Sequence, residues 1–283
     1  LDASIDKQLT LVIGPAGYGK SALVSQWLRL SGIPHAWLFA DEHDADPTVL
    51  MRALIGSVAR SDASLIPRSI ALLDNEHASF QLMLSELLDE LSRVRGPFVI
   101  VIDDYHRAQT PEIDSLLAML IRSSGATPSL VVISRLRPQL PIDVLNAYGE
   151  LSIIGVADLQ FSAEESRQML RAARSGVLPS EQVDAIAERA GGWAVGLRLL
   201  ASSPNLEHTN RIETEPGPET MLGPEVAGYL FAEVIEQQPA DVQDFLQRTS
   251  ILEFLQPDYC VALTGRDDSA RVLQQLTDSA LFT

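Results

Sequence analysis

Gly14-Pro15-Ala16-Gly17-Tyr18-Gly19-Lys20-Ser21 is the stretch that decides the fold class of this chain. An apolar run at 9–13 leads into it, and a helix-like segment at 22–30 follows it. Glycine stands first, Gly-Lys follows after four residues, and a hydroxyl comes next, which is the pattern of a phosphate-binding P-loop. A glycine-rich structural turn is the alternative. The strand-loop-helix context favours the P-loop.

The chemistry of such a loop assigns a role to each of its parts. Gly14, Gly17 and Gly19 supply a permissive backbone, whose N–H groups must approach phosphate oxygens closely. Lys20 would place a positive charge between the β- and γ-phosphates, and the Ser21 hydroxyl would bind Mg²⁺. The predicted nucleotide-binding residues of the loop are Gly14, Pro15, Ala16, Gly17, Tyr18, Gly19, Lys20 and Ser21.

The composition is typical of a soluble globular protein and limits the kinds of partner. A chain of 283 residues with 46% hydrophobic residues is long enough to bury one large core or two to three small ones. The net charge of −17 argues against nonspecific nucleic-acid binding, which depends on clustered lysines and arginines. A lone cysteine, Cys260, and apolar runs too short for a membrane span predict a cytoplasmic protein.

The first half of the chain alternates short apolar runs with segments of helical period, up to about residue 156. Buried strands that read as continuously apolar, with helices between them, indicate a parallel sheet covered on both faces. We therefore predict an α/β doubly wound core. The predicted strands are 9–13, 36–39, 98–102, 130–133 and 151–154, and the predicted helices are 20–30, 47–60, 76–94, 111–123 and 142–148.

The second half of the chain has no strand signal. Ser162 and Glu165 form a capping-box pattern, and helical periodicity then continues to about residue 201. Residues 203–219 carry three prolines and few apolar groups, which predicts a connector. A third, helical unit follows, with predicted helices at 222–237, 239–249, 257–264 and 268–279.

A pair of carboxylates follows the apolar run at 98–102. Asp103 and Asp104 match a Walker B pattern, in which Asp103 would hold Mg²⁺ and Asp104 would orient or deprotonate the attacking water. Two aspartates after a strand are, on their own, more often a turn that caps a helix. Their combination with the P-loop favours the metal and catalytic roles.

Other polar residues near the predicted strand ends are open to two interpretations. Arg135 follows the fourth strand and would either sense the γ-phosphate or simply be solvated. His106 would join the site or lie beside it. The acidic stretch 41–46 would bind a metal or cap a helix at Asp46-Pro47, and it lacks the spacing of a calcium loop. Gly191-Gly192 is most simply a helix stop, and the Trp193 that follows is most simply a core residue.

These segments resemble the signal-transduction ATPases with numerous domains, and within them the large ATP-binding LuxR-type regulators. The resemblance covers nearly the whole chain. Its P-loop is generic, whereas the Asp-Glu-His-Asp segment at 41–44 and the Arg-Thr-Ser-Ile-Leu segment at 248–252 are specific. It also includes Ile102-Asp103-Asp104-Tyr105-His106, Ser134-Arg135 and the segment from Gly191 to Leu197.

The resemblance implies a switch operated by ATP and ADP in a bacterial transcriptional regulator. Such proteins close around ADP at rest, and inducer with ATP opens them for self-association. Inducer and DNA would be bound by domains absent from this segment, and we expect the segment to be a fragment. The implied domains are a P-loop domain at 1–157, a helical arm at 158–202, a linker at 203–219 and a partial winged helix at 220–283.

The resemblance also implies roles for particular residues. Arg135 would act as the first sensor of the nucleotide. Trp193 and Ala194 would line the nucleotide, with Ala194 standing where related families have proline. The segment that contacts adenine would precede Leu1, and the winged-helix histidine that touches the β-phosphate would follow Thr283.

Three functions are compatible with these residues. The leading one is a slowly hydrolysing ATP switch. A P-loop motor or kinase is the second, although the sequence has no recognisable acceptor pocket or lid arginines. The third is a scaffold that keeps ADP and never hydrolyses ATP.

Overall fold

The computed structural model describes residues 1, 5–75, 77–123, 128–140, 142–173, 180–202, 235–236, 238–252 and 255–278. The chain divides into two compact units. The first comprises Leu1–Gly14 and Lys20–Asp158, and the second comprises Pro15–Gly19 and Leu159–Thr283. The connector predicted at 203–219 lies outside the described residues.

A five-stranded parallel sheet forms the centre of the first unit, in the order β2-β3-β4-β1-β5. The predicted α/β fold is therefore confirmed, and every predicted strand end lies within one residue of the observed end. The strands are β1 Leu9–Ile13, β2 His35–Phe39, β3 Val99–Asp103, β4 Ser129–Ser134 and β5 Leu151–Ile154.

The burial of each strand follows from its place in the sheet. Every residue of β3 and β4 is buried, because these inner strands are covered on both faces. The edge strand β2 alternates buried Ala36 and Leu38 with less buried neighbours, and β5 at the other edge is only partly covered. Continuous apolar runs therefore mark the inner strands.

Six described α-helices lie in the first unit, and a seventh, α7, begins there. Helix α2 begins as predicted, because the Asp46 side chain accepts hydrogen bonds from the backbone N–H groups of Thr48 and Val49, with Pro47 at the first position. The helices are α1 Lys20–Ser31, α2 Pro47–Asp62, α3 Pro67–Leu73, α4 Phe80–Leu91, α5 Pro111–Ser123, α6 Ile142–Ala147 and α7 Val156–Leu159.

The helix predicted over 76–94 is present but shorter, as α4 at Phe80–Leu91. Helix α3 at Pro67–Leu73 was not predicted. The buried Glu90 carboxylate of α4 accepts hydrogen bonds from the backbone N–H groups of Arg68 and Ser69 at 2.7 and 2.9 Å. It thereby satisfies the free N-terminal amides of α3. This cap comes from a distant residue, so local sequence could not reveal it.

The described part of the second unit is helical. The predicted capping box at α8 is confirmed, because Ser162 N–H donates to the Glu165 carboxylate at 2.8 Å and Glu165 N–H donates to Ser162 Oγ at 3.3 Å. The described helices are α8 Ala163–Ala173, α9 Ser180–Ala190, α10 Ala194–Ser202, α11 Ala240–Thr249, α12 Pro257–Thr264 and α13 Ser269–Asp278.

Two apolar clusters hold these helices. Helices α8 to α10 share one cluster, and α11 to α13 share another, in which Cys260 is fully buried and acts as a small apolar residue. The buried members of the first are Leu170, Val183, Ile186, Ala187 and Leu197, and those of the second are Phe245, Leu246, Cys260, Val272 and Leu276.

The predicted helix stop at Gly191-Gly192 is confirmed. Helix α9 ends at Ala190, and both glycines have positive φ, at 53° and 76°. A Cβ on Gly192 would contact the carbonyl oxygen of Phe161, whose N–H donates to the Gly192 carbonyl at 3.0 Å. A Cβ on Gly191 would meet nothing within 4 Å. Glycine is thus required at position 192 both because a side chain would clash with Phe161 and because φ is positive.

We expect Gly192→Ala to lower the free energy of unfolding of α8 to α10 by about 3 kcal/mol, because the methyl group adds overpacking to the strain of positive φ. Gly191→Ala is the matched control and should cost about 1 kcal/mol, from φ alone. Hydrogen exchange of the amides in these helices measures both. Equal losses in the two variants would contradict the close approach to Phe161.

Candidate functional site

The parallel sheet brings three strand ends to one edge. Strand β1 runs into Gly14, β3 ends at Asp103, and β4 ends at Ser134 directly before Arg135. Strand β4 lies between the other two, and Gly14 N–H donates to the Ser134 carbonyl at 3.3 Å. Ligands of open α/β sheets bind at such carboxyl ends.

A hydroxyl and a carboxylate meet at this edge. Ser21 Oγ donates to Asp103 Oδ1 at 3.0 Å, and the Asp104 N–H donates to the same oxygen at 2.9 Å. Asp103 is only 2% exposed, and burial raises the pKa of its carboxyl group. Because Mg²⁺ prefers a few protein oxygens together with water and phosphate oxygens, the pair Ser21 and Asp103 fits that ion.

Lys20 is buried beside these residues. Its Nζ donates to the Gly14 carbonyl oxygen at 2.7 Å. Burial and the nearby positive charge of Arg135 lower the pKa of Lys20 to about 8, although Asp104 and Asp103 act in the opposite direction. The local environment therefore penalises the positive charge of Lys20, and an anion bound here would relieve that penalty.

His106 shares the electrostatic environment of this edge. Its side chain is 13% exposed, and its Nδ1 is buried without a hydrogen-bond partner in the described structure. Burial and Arg135 lower the pKa of His106 to about 4, so the imidazole is neutral near pH 7. Nδ1 lies 3.9 Å from Asp104 Oδ1. Of the two interpretations of His106, the geometry favours the one that puts it in the site.

Asp104 has an unusual backbone conformation. Among the described residues other than glycine, only Asp104 has a positive φ, with φ 54° and ψ 34°. The left-handed region is strained for most side chains and tolerated best by Asn and Asp. Such strain persists only where the surrounding structure holds it in place.

The residue after Asp104 anchors this turn. Tyr105 is fully buried, and its hydroxyl donates to Asp114 Oδ1 on α5 at 2.6 Å. Gln109 Nε2 donates to the other oxygen of Asp114 at 3.1 Å. Burial and the hydrogen bond to Asp114 raise the pKa of Tyr105. This anchor was not predicted from the sequence, in which the only signal was a tyrosine directly after the acidic pair.

The acidic stretch 41–46 is a capped turn. The Asp41 side chain accepts from His43 N–H at 2.7 Å, and the Asp44 side chain accepts from Asp41 N–H at 3.0 Å. Glu42 forms a bidentate ion pair with Arg107. No group of three or more histidine, cysteine or acidic side chains suited to a metal ion occurs among the described residues. The hydrogen bonds of Asp41 and Asp44 favour capping as the interpretation of this stretch.

The loop Pro15–Gly19 contacts the start of α10 within the second unit. Trp193 Nε1–H donates to the Ala16 carbonyl at 3.0 Å, and Val195 N–H donates to the Gly17 carbonyl at 3.1 Å. Gly17 has a φ of 80°, and a Cβ there would lie 2.6 Å from Trp193 Nε1. Trp193 is therefore a polar contact of the loop as well as a core residue.

The other residues predicted to bind nucleotide in the second unit are only half-buried, namely Pro15, Tyr18, Gly19 and Ala194. Gly19 has a φ of 76°, with nothing within 4 Å of an added Cβ. Ala194 is the first residue of α10. The predicted need for a permissive backbone thus applies to Gly17 and Gly19.

Comparison with known families agrees with this geometry. The AAA ATPase domain family matches residues 2–133, and the MalT winged helix domain family matches residues 231–283. The parallel sheet, the glycine-rich loop and the acidic strand end agree with the match to the AAA ATPase domain family, and the match to the MalT winged helix domain family follows it along the chain. Such ATPase domains bind nucleotide, typically with Mg²⁺.

The chain is homologous to the MalT transcriptional regulators. It is 29% identical over 278 residues to the HTH-type transcriptional regulator MalT of Yersinia enterocolitica, covering 97% of this chain and 30% of that protein. It is 28% identical to MalT of Yersinia pestis, covering 100% of this chain and 31% of that protein. The predicted resemblance is confirmed. The chain spans about 30% of the length of these relatives.

Two solved structures are more distantly similar to the chain. The Aeropyrum pernix Orc1 protein in complex with DNA is 19% identical with a TM-score of 0.48, covering 96% of this chain and 78% of that chain. Cdc6p from Pyrobaculum aerophilum is 16% identical with a TM-score of 0.49, covering 96% and 79%. No helix in the described ranges combines the length and apolar character needed to cross a membrane.

We expect Tyr105→Phe to lower the free energy of unfolding of the first unit by about 2 kcal/mol, because the buried Asp114 carboxylate loses a donor. Tyr148→Phe removes the same hydroxyl from a side chain that is 78% exposed, and should change stability by less than about 0.5 kcal/mol. Hydrogen exchange of the β3 amides reports both. Equal stability losses in the two variants would contradict a stabilising role for the hydrogen bond between Tyr105 and Asp114.

Proposed function

We propose that this chain is the nucleotide-binding switch module of a bacterial signal-responsive transcriptional regulator. The observation that carries the proposal is the pairing of Ser21 Oγ with the buried Asp103 carboxylate beside the buried Lys20. Oxygen ligands for a metal and a cation for phosphate thus adjoin each other in the first unit. The AAA ATPase match and the homology to MalT support the same function.

The proposed roles follow from the chemistry of each group. Loop amides and Lys20 hold the β- and γ-phosphates, and Ser21 and Asp103 hold Mg²⁺. When bound, the ion neutralises negative charge on the phosphate oxygens. Asp104, which is partly exposed, orients or deprotonates the attacking water.

Arg135 is proposed to sense the γ-phosphate. It directly follows the last residue of β4, and its positive charge lowers the pKa values of both Lys20 and His106. The γ-phosphate of ATP would add negative charge that the Arg135 guanidinium can bind. The switch would therefore distinguish ATP from ADP because only ATP carries a γ-phosphate that can interact with Arg135.

The regulator's other properties are proposed for the whole protein. We infer an ADP-bound resting state and an ATP-bound state that self-associates, as the resemblance implies. With a net charge of −17, this segment is poorly suited to DNA. DNA and inducer would therefore be bound elsewhere in a protein of the relatives' length.

We expect Lys20→Ala to abolish bound nucleotide, because the loop loses its phosphate cation. Lys7 is the only other lysine in the sequence; its Nζ donates to the Gly149 carbonyl at 2.6 Å, and Lys7→Ala is the matched control. Nucleotide released by acid from the purified protein is quantified for all three. Roughly one ADP per chain is expected in the wild type and in the control.

Either of two results would count against nucleotide binding at this loop. One is a wild-type protein that carries no nucleotide and takes up neither ATP nor ADP with Mg²⁺. The other is equal nucleotide content in Lys20→Ala and Lys7→Ala.

We expect Asp104→Asn to lower ATP turnover by about a hundredfold or more while nucleotide stays bound, because the general base is lost. Asparagine tolerates positive φ, so the turn should persist. Asp143→Asn, on the exposed side of α6, is the control. Steady-state phosphate release measures turnover in the three proteins.

The same assay separates the alternatives to a switch. Stoichiometric ADP with no turnover in the wild type would favour a scaffold that binds ADP and never hydrolyses ATP. Fast turnover without retained ADP would favour a P-loop ATPase of another class.

A further inference from the structure

Two successive carbonyl groups of the loop Pro15–Gly19 are hydrogen-bonded to the start of α10. The Ala16 carbonyl accepts from the Trp193 indole N–H, and the Gly17 carbonyl accepts from the Val195 backbone N–H. All four residues belong to the second unit. The orientation of these two peptide groups is therefore fixed from one side.

A fixed carbonyl also fixes the N–H group of the next residue. In a planar trans peptide the C=O and N–H bonds point in opposite directions. The N–H groups of Gly17 and Tyr18 must then point away from Trp193 and Val195. Backbone N–H groups of a P-loop are the donors that surround a bound phosphate.

The indole of Trp193 is held in a slot between two glycines. A Cβ on Gly17 would lie 2.6 Å from Nε1, and a Cβ on Gly196 would contact the indole ring. The backbone of Trp193 is held as well, since its N–H donates to the Ala190 carbonyl at 2.9 Å. The direction of its N–H is thus set by packing.

We propose that Trp193 is a positioning residue for phosphate binding. Its indole N–H, together with the Val195 amide, holds the Ala16 and Gly17 carbonyls so that the Gly17 and Tyr18 N–H groups face the phosphate. The inference rests on the proposed function and adds to it a residue outside the P-loop motif. By linkage, bound nucleotide strengthens the contact between Trp193 and the loop.

The test compares two tryptophan-to-phenylalanine variants of the full chain. Trp193→Phe keeps an aromatic ring and loses the N–H. Trp37→Phe is the matched control, because Trp37 Nε1 is buried without a hydrogen-bond partner in the described structure. We expect Trp193→Phe to weaken ADP binding about three-fold to ten-fold, the loss typical of one hydrogen bond, and Trp37→Phe to leave it unchanged.

A spectroscopic readout separates positioning from general support. In ¹⁵N-glycine-labelled protein, the Gly17 amide proton should move downfield when ADP binds. The shift at saturating ADP should be smaller in Trp193→Phe than in the wild type. A loss of stability alone would leave the shift at saturation unchanged, and that result would overturn the proposal.

A second variant covers the case in which Trp193→Phe fails to fold. Gly196 lies inside α10 without positive φ, so Gly196→Ala suits the helix while its methyl group displaces the indole. Weaker ADP binding and a reduced Gly17 shift are expected. Wild-type values for both would overturn the proposal. A wild-type protein that binds no ADP would instead overturn the proposed function.

Discussion

The parallel alignment of β1, β3 and β4 is the constraint on which the site of the first unit depends. Parallel strands end at one edge, so residues far apart in sequence meet there without any further device. The inner strands β3 and β4 are buried on both faces, and the polar residues that end them, Asp103 and Ser134, are therefore enclosed as well. Burial of polar groups at this edge follows from the fold.

Burial acts on charges of both signs at this edge. It raises the pKa of Asp103 and lowers the pKa values of Lys20 and His106, so each charged form is disfavoured. Neighbouring opposite charges offset this only in part. A ligand that carries both phosphate and a divalent cation would compensate the two signs together. The site is thus better suited to such a pair than to either ion alone.

Sequence alone predicted the features that depend on burial and local pattern. The strands were located within one residue because their residues form continuous apolar runs, which in the inner strands β3 and β4 reflect burial on both faces. Helix α3 was missed because Glu90 caps it from a later helix. The Tyr105 anchor was missed because its partner, Asp114, matches no motif. Contacts between distant residues, such as Trp193 with Ala16, have no signature in one sequence.

Gly17 and Gly19 of the loop are glycines for different physical reasons. The bare P-loop pattern requires Gly14 and Gly19 and leaves position 17 open. Gly19 has positive φ and free space around it, so backbone conformation alone explains it. Gly17 has positive φ and also the Trp193 indole and Val195 within 3 Å of an added Cβ. Its identity is therefore also set by the contact with α10 inside the second unit, at a position that the motif does not specify.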